Sequence, residues 1–226
     1  MMARAMVLLC LLSGSAWAEE RCGGDVGARI AYLQQRRAHD ERRTRIWAAT
    51  WAGVFTAIVG YEAAWFATHS DHDARVDAVV GMGAAGIGLV VLAVQPGVVF
   101  VDERLHPMPP PGDRCATLAE LERRLSRDAA AQEFGTSPLI HAGNFVFNIG
   151  IGLLLGLGFG HWQQAVINML VGIAVGEAEA ITQPTDSVDT LAAYRAGRLD
   201  GRAARRWRLA PSLSRDGAAL AFALDF

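Results

Sequence analysis

Residues 139–181 read LIHAGNFVFNIGIGLLLGLGFGHWQQAVINMLVGIAVGEAEAI, and the fold class turns on them. Two apolar runs, Leu139–Phe159 and Trp162–Ile181, are parted only by Gly160-His161. Each run has about 20 residues, and a helix rising 1.5 Å per residue would cover the ~30 Å hydrocarbon core of a bilayer. A two-residue joint leaves the chain no choice but an antiparallel helical hairpin. Gly152, Gly156 and Gly160 recur every fourth residue in the first run, and Gly172 and Gly176 in the second. Small residues at that interval make a flat stripe on which helix backbones approach closely, the main source of helix association in lipid.

A second such pair lies upstream. Ile46–Thr68 and Val76–Val94 are joined by His69–Arg75. Trp47 and Trp65 bracket the first of these, roughly 27 Å apart along a helix, as an aromatic belt would place them. Gly81, Gly83, Gly86 and Gly88 give the second a small-residue surface. Each pair follows the same preamble: Arg21-Cys22 or Arg114-Cys115, then an amphipathic stretch. The expectation is therefore an all-α integral membrane protein with four transmembrane helices arranged as two helical hairpins, 46–94 and 139–181.

Composition agrees. The chain is 52% hydrophobic and 19% charged, too apolar for an ordinary soluble domain of 226 residues. Its net charge of −2 excludes a nucleic-acid surface, which needs a positive excess. All basic residues are arginine, a bias read as codon usage. Residues 1–18 have the three parts of a secretory signal: Arg4, the apolar Ala5–Leu12, and Ala16-Trp17-Ala18 before Glu19. Cleavage there removes Cys10 and leaves Cys22 and Cys115, in a compartment that permits disulfides.

A signal of this kind puts the mature N-terminus outside, and four crossings return the C-terminus to the same side. The segments 19–45, 95–138 and 182–226 then lie together in the periplasm, with the protein in a bacterial inner membrane. The arginines point the other way: all but Arg4 and Arg75 of the 21 lie in those long segments, which the positive-inside rule would keep in the cytoplasm. The signal peptide and the cysteines decide for the periplasm.

Within these external segments, Val26, Ile30 and Leu33 form one apolar stripe and Leu118, Leu121 and Leu125 another. Nothing between Cys22 and Trp47 breaks a helix, so the first stripe can run unbroken into the first span, whereas Gly135 and Pro138 mark a hinge before the third. Docking the two stripes brings Cys22 and Cys115 to equivalent ends. An internal disulfide is the expectation, with two free thiols or links to partner chains as alternatives, because spacing does not establish a bond. Pro96, Pro107 and Pro109-Pro110-Pro111 make 95–113 a stiff connector. Val188 to Leu199, after Pro184-Thr185-Asp186, reads as a short helix. Trp207 and Leu209, the turn Asp216-Gly217, and alternating Leu220, Phe222, Leu224 and Phe226 predict a short C-terminal β-hairpin. That last strand resembles the C-terminal strand of outer-membrane β-barrel proteins, but the rest of the chain lacks the repeated amphipathic strands of that family. The hairpin is expected to complete a small external cap.

Candidate chemistry is confined to intramembrane polar groups. His141, Asn144 and Asn148 share one helix face, and Glu62 and Asn168 are placed to meet them. Such groups are costly in lipid and mark ion or proton paths, or else bond helices together. Glu177 and Glu179, two residues apart, point in different directions and do not form an acid–base pair. His69, Asp71, His72 and Asp73 read as a solvated turn, not as a metal site. With no phosphate loop, nucleophile elbow or zincin helix, the sequence predicts no enzyme, no cofactor and no metal. The expected function is a non-enzymatic envelope scaffold or partner-binding protein acting through its cap, with the lipid bilayer and an envelope protein as partners. The alternative is a small transporter or channel using Glu62, His141, Asn144, Asn148 and Asn168.

Overall fold

A computed structural model describes residues 22–95, 109 and 112–199, together with the backbone of 206–214 and 217–225. Residues 1–18, expected to be a secretory signal that includes Cys10, and nearly all of the proline-rich connector lie outside the described residues.

Helix α1, Val26–Thr68, is a single helix of 43 residues, about 65 Å long. Asp25 starts it by accepting a hydrogen bond from the Ala28 amide at 2.9 Å. Helix α2, His72–Val94, folds back along α1 after a three-residue turn, and Asp71 caps it through the Ala74 amide at 3.0 Å. Asp113 repeats the device for α3, Arg114–Gly135, through the Ala116 amide at 2.8 Å. In each case a carboxylate satisfies an amide that the first turn leaves unpaired. Thr136 and Ser137 break the chain before Pro138, whose ring suits the first position of α4, Pro138–Leu153. Leu154–Gly158 continues α4 as one wider, π-helical turn. The backbone at Gly160 has φ +79, a conformation that disfavours any residue with a Cβ, and it sends α5, Trp162–Thr182, back antiparallel to α4. Helix α6, Asp186–Arg195, follows. At the C-terminus the backbone of β1, Arg206–Ser214, pairs antiparallel with β2, Gly217–Asp225, with Trp207 opposite Leu224.

Among the described residues three stretches are long and apolar enough to cross a membrane: His72–Val94, Pro138–Gly158, and one within Trp162–Arg195, with mean hydropathies of 2.1, 1.6 and 1.5. The chain is consistent with a multi-pass membrane protein. Ile46–Thr68 does not join them. Trp47, Trp51, Tyr61, Glu62 and Trp65 lower its mean hydropathy, although aromatic residues are favoured where a helix meets the headgroups. Val90, Val94, Val146, Leu157, Leu170 and Val171 face outward, each more than half exposed. An apolar circumference of that extent needs an apolar solvent.

Glycine sets the contacts within each hairpin. The Phe55 ring of α1 lies where a Cβ on Gly88 would stand, and the Glu62 side chain occupies the same place at Gly81. Gly83 and Gly86 meet nothing, so only half of that small-residue surface is used here. In the second hairpin Gly152 lies against Met169 and the Ala165 carbonyl, Gly156 against the Trp162 ring, Gly172 against Asn148 and Gly176 against Asn144.

A polar helical cluster sits at one end. The two apolar stripes meet there, with Tyr32, Leu33, Leu118 and Leu121 buried together and Val26, Ile30, Leu125, Tyr194 and Leu199 packed around them. Cys22 and Cys115 are joined as a disulfide with Cα atoms 5.6 Å apart. The free-thiol and intermolecular alternatives are thereby set aside.

Candidate functional site

The five polar residues predicted to form one intramembrane set do not come together. His141, Asn144 and Asn148 point from α4 to α5, where Glu177 partners the first two. His141 Nδ1 lies 2.6 Å from Glu177 Oε2. Asn144 Nδ2 donates to Glu177 Oε1 at 2.9 Å and to the Ile173 carbonyl at 3.1 Å. Asn148 Nδ2 donates to the Asn144 carbonyl at 2.9 Å and to its Oδ1 at 2.7 Å. The network works because Gly172 and Gly176 let the amide side chains reach the α5 backbone. It spends the polar groups on one another. Asn168, half-buried on α5, makes no side-chain hydrogen bond among the described residues. Glu179 points away from the Glu177 network, as the two-residue spacing requires.

Glu62 belongs to a different group. From α1 it rests on Gly81, one turn along α2 from Asp77. Asp77 Oδ1 is 2.7 Å from His161 Nδ1, and His161 Nε2 is 3.2 Å from Asp73 Oδ1. The hydrogen bond that His161 donates to Asp77 is the largest influence on the ring. With the negative charges of Asp77 and Asp73 it outweighs partial burial and raises the imidazole pKa. Sequence reading treated His161 as a joint residue only. The available signal was the i, i+4 spacing of Asp73 and Asp77, which puts two carboxylates on one face of α2. His69, by contrast, stacks on Trp65 with ring centroids 3.8 Å apart. Among the described residues no group of three or more His, Cys, Asp or Glu is placed to hold a metal ion.

A third set ties together the polar cluster. Arg29 Nη2 is 2.5 Å from Glu122 Oε1, Arg29 Nε donates to the Tyr194 hydroxyl at 2.7 Å, and that hydroxyl donates to Glu122. Helices α1, α3 and α6 thus share one ion pair and one phenol. Arg43 binds Asp186 at 2.6 Å. Ser187 donates through its hydroxyl to Asp40 and through its amide to Gln132 Oε1, the latter at 2.9 Å. Burial pushes the Asp40 carboxyl up, opposed by the Ser187 hydrogen bond. On α3 the buried Glu120 accepts from Arg124 Nε at 2.6 Å and lies 2.8 Å from Arg123. The Arg124 bond and the surrounding guanidinium charges hold its carboxyl below the usual range. A cavity of about 20 Å³ between Leu33, Leu121, Leu125 and Asp40 has room for a water molecule and no more.

At the junction between this cluster and the apolar helices, Trp47 and Trp51 both donate to Thr182 Oγ1, at 3.3 and 3.1 Å, and Gln95 donates to Gln183 at 3.2 Å. These bonds tie one hairpin to the other. No family model, curated protein or solved structure matches this chain.

Proposed function

We propose that the protein is a multi-pass component of the bacterial inner membrane, with both termini in the periplasm, that acts as a non-enzymatic scaffold through an external cap. Ile46–Thr68 is read as the fourth span. It lies along α2, and its exposed face carries Ile46, Tyr61 and Trp65, residues suited to lipid and headgroup. The cap consists of the polar ends of α1 and α3, helix α6 and the C-terminal β-hairpin.

The observation that carries the reading is the fate of the intramembrane polar groups. His141 and Asn144 close on Glu177 and on the α5 backbone, and Asn148 closes on Asn144, while Glu62 rests on Gly81 in the other hairpin and Asn168 is not bonded to the set. A transporter or channel would need those five to line a common path. What is built with evident specificity is the cap: a disulfide, a three-helix ion-pair hub and a fully apolar seam give it a fixed outer surface.

Photocrosslinking in cells tests this. A crosslinking residue at the exposed Gln35 or Ala119 should trap one defined envelope protein, and the adduct should be lost when Cys22 and Cys115 are both changed to serine. The same residue at the lipid-facing Gly150 should trap none. Absence of any cap-dependent adduct, together with proton or solute flux in vesicles that falls in Glu62→Leu and His141→Leu variants retaining their fold, would replace the scaffold by the transporter.

A further inference from the structure

At the end of the bundle remote from the disulfide, the two hairpins meet through one side chain. The turn at Gly160 delivers His161 from the α4–α5 joint onto α2, where both ring nitrogens face carboxylates: Nδ1 at 2.7 Å from Asp77 and Nε2 at 3.2 Å from Asp73. A neutral imidazole carries one N–H and can donate to only one of them, leaving a lone pair against the other. The imidazolium donates to both. The charged groups around the ring are Asp73 and Asp77 from α2, with Glu62 of α1 one turn beyond Asp77, all acidic. Arg75, on the same helix, is turned away over the Phe66 ring at 4.1 Å. The Asp73 side chain is 68% exposed while His161 is 12% exposed, so the ring exchanges protons with water through the outer carboxylate.

We propose that His161 is a protonation-dependent clasp between the two hairpins, closed as an imidazolium across Asp73 and Asp77 and released when the ring loses its second proton. The clasp does not depend on what the cap binds. It matters because the other polar ties between the hairpins among the described residues, Trp47 and Trp51 with Thr182 and Gln95 with Gln183, lie at the cap end. Opening at His161 lets the hairpins splay at one end while the other stays fixed. The direction follows from linkage. Because the folded imidazole pKa lies above its ordinary 6.5, the clasp's stabilisation is complete below that value. It is lost as pH rises through the raised one.

Spin labels at Ser70→Cys and Gln163→Cys, both exposed positions, read the splaying in full-length protein in lipid nanodiscs, with the native disulfide intact and Cys10→Ser. Pulsed electron–electron resonance from about pH 5 to about pH 9, the range in which histidine titrates, should show one narrow distance in acid. The distribution should broaden with a midpoint above 6.5. Asp77→Asn should move that midpoint down by removing the carboxylate that most favours the imidazolium. His161→Gln should abolish the transition, whereas His69→Gln and His72→Gln should keep it. A distribution independent of pH in the parent protein, or a transition that survives His161→Gln, overturns the proposal. If His161→Gln fails to fold, Asp77→Asn decides, and an unchanged or raised midpoint overturns it equally.

Discussion

Removing the bond between Cys22 and Cys115 separates two views of how the cap is held. The cysteines are 93 residues apart in sequence. For a chain that loosens entirely on unfolding, a loop of that length is worth ~4.6 kcal/mol in the chain-entropy model. The loosened state here is different. Helices α1 and α2 fill most of the loop, and both are expected to stay helical in dodecyl sulfate. Only 22–25, 69–71 and 95–114 then gain freedom, and the same model lowers the figure to ~3.5 kcal/mol. Unfolding in sodium dodecyl sulfate, followed by tryptophan fluorescence in oxidised protein and in the Cys22→Ser/Cys115→Ser variant, measures it. The expected loss is about 3.5 kcal/mol, with no change in far-ultraviolet helicity of the native protein. A loss below ~1 kcal/mol would mean that the apolar seam of Tyr32, Leu33, Leu118 and Leu121 already holds the two ends together in the unfolded state. That would refute the argument from loop restraint. Alkylation of both cysteines without reductant would refute its premise.

Two further outcomes concern the polar contacts of the cap. Tyr194→Phe removes the hydroxyl that accepts from Arg29 and donates to Glu122, but those two groups keep each other as partners, so thermal unfolding should report only ~1.5 kcal/mol of destabilisation. Glu120→Gln leaves the buried Arg124 without its carboxylate and should cost ~3 kcal/mol at neutral pH. Glu120 titrates below its ordinary 4.5 in the folded protein, so its contribution is present above that pH and is lost as pH falls through the depressed value. Chemical unfolding at several pH values should therefore show parent and variant converging in acid, and a gap that widens there would contradict the assignment.

What could be read from residues alone was whatever a single helix repeats. The stripes Val26, Ile30, Leu33 and Leu118, Leu121, Leu125 are local periodicities, and apolar faces have to be buried somewhere, so their meeting followed once each had no other partner. The break at Gly135–Pro138 is likewise local, since proline forbids the bonds that would continue the helix. Partners between helices were less legible. For Glu177 the sequence excludes pairing with Glu179 but names no partner, because its own segment says nothing of rotation about the axis. Its capture by His141 and Asn144 depends on the antiparallel register set by the Gly160 turn. Asn168 is one turn before Gly172 on α5, so its spacing fits the grouping, yet no hydrogen bond joins it to those residues among the described residues. Composition leaves α1 out of the helices apolar enough to span, because tryptophan, tyrosine and one glutamate lower its hydropathy.

The division of contacts has a physical cause. Lipid tails are as apolar as leucine, so burying apolar area does not drive helices together in a bilayer, and close packing or polar bonding has to do it. Within each hairpin close packing suffices: Gly81 and Gly88 admit α1, and Gly172 and Gly176 admit the asparagines of α4. Between hairpins no such glycine pairing is present among the described residues, and Val175 reaches the Trp47, Phe55, Ala85 and Leu92 cluster only from its margin. The polar ties fall at the two ends, where water competes and each bond is worth little alone. A seam built this way resists separation less than either hairpin resists unfolding. Motion of the intact protein is therefore expected as rigid hairpins rocking about the junction at Thr182 and Gln183, next to the polar helical cluster.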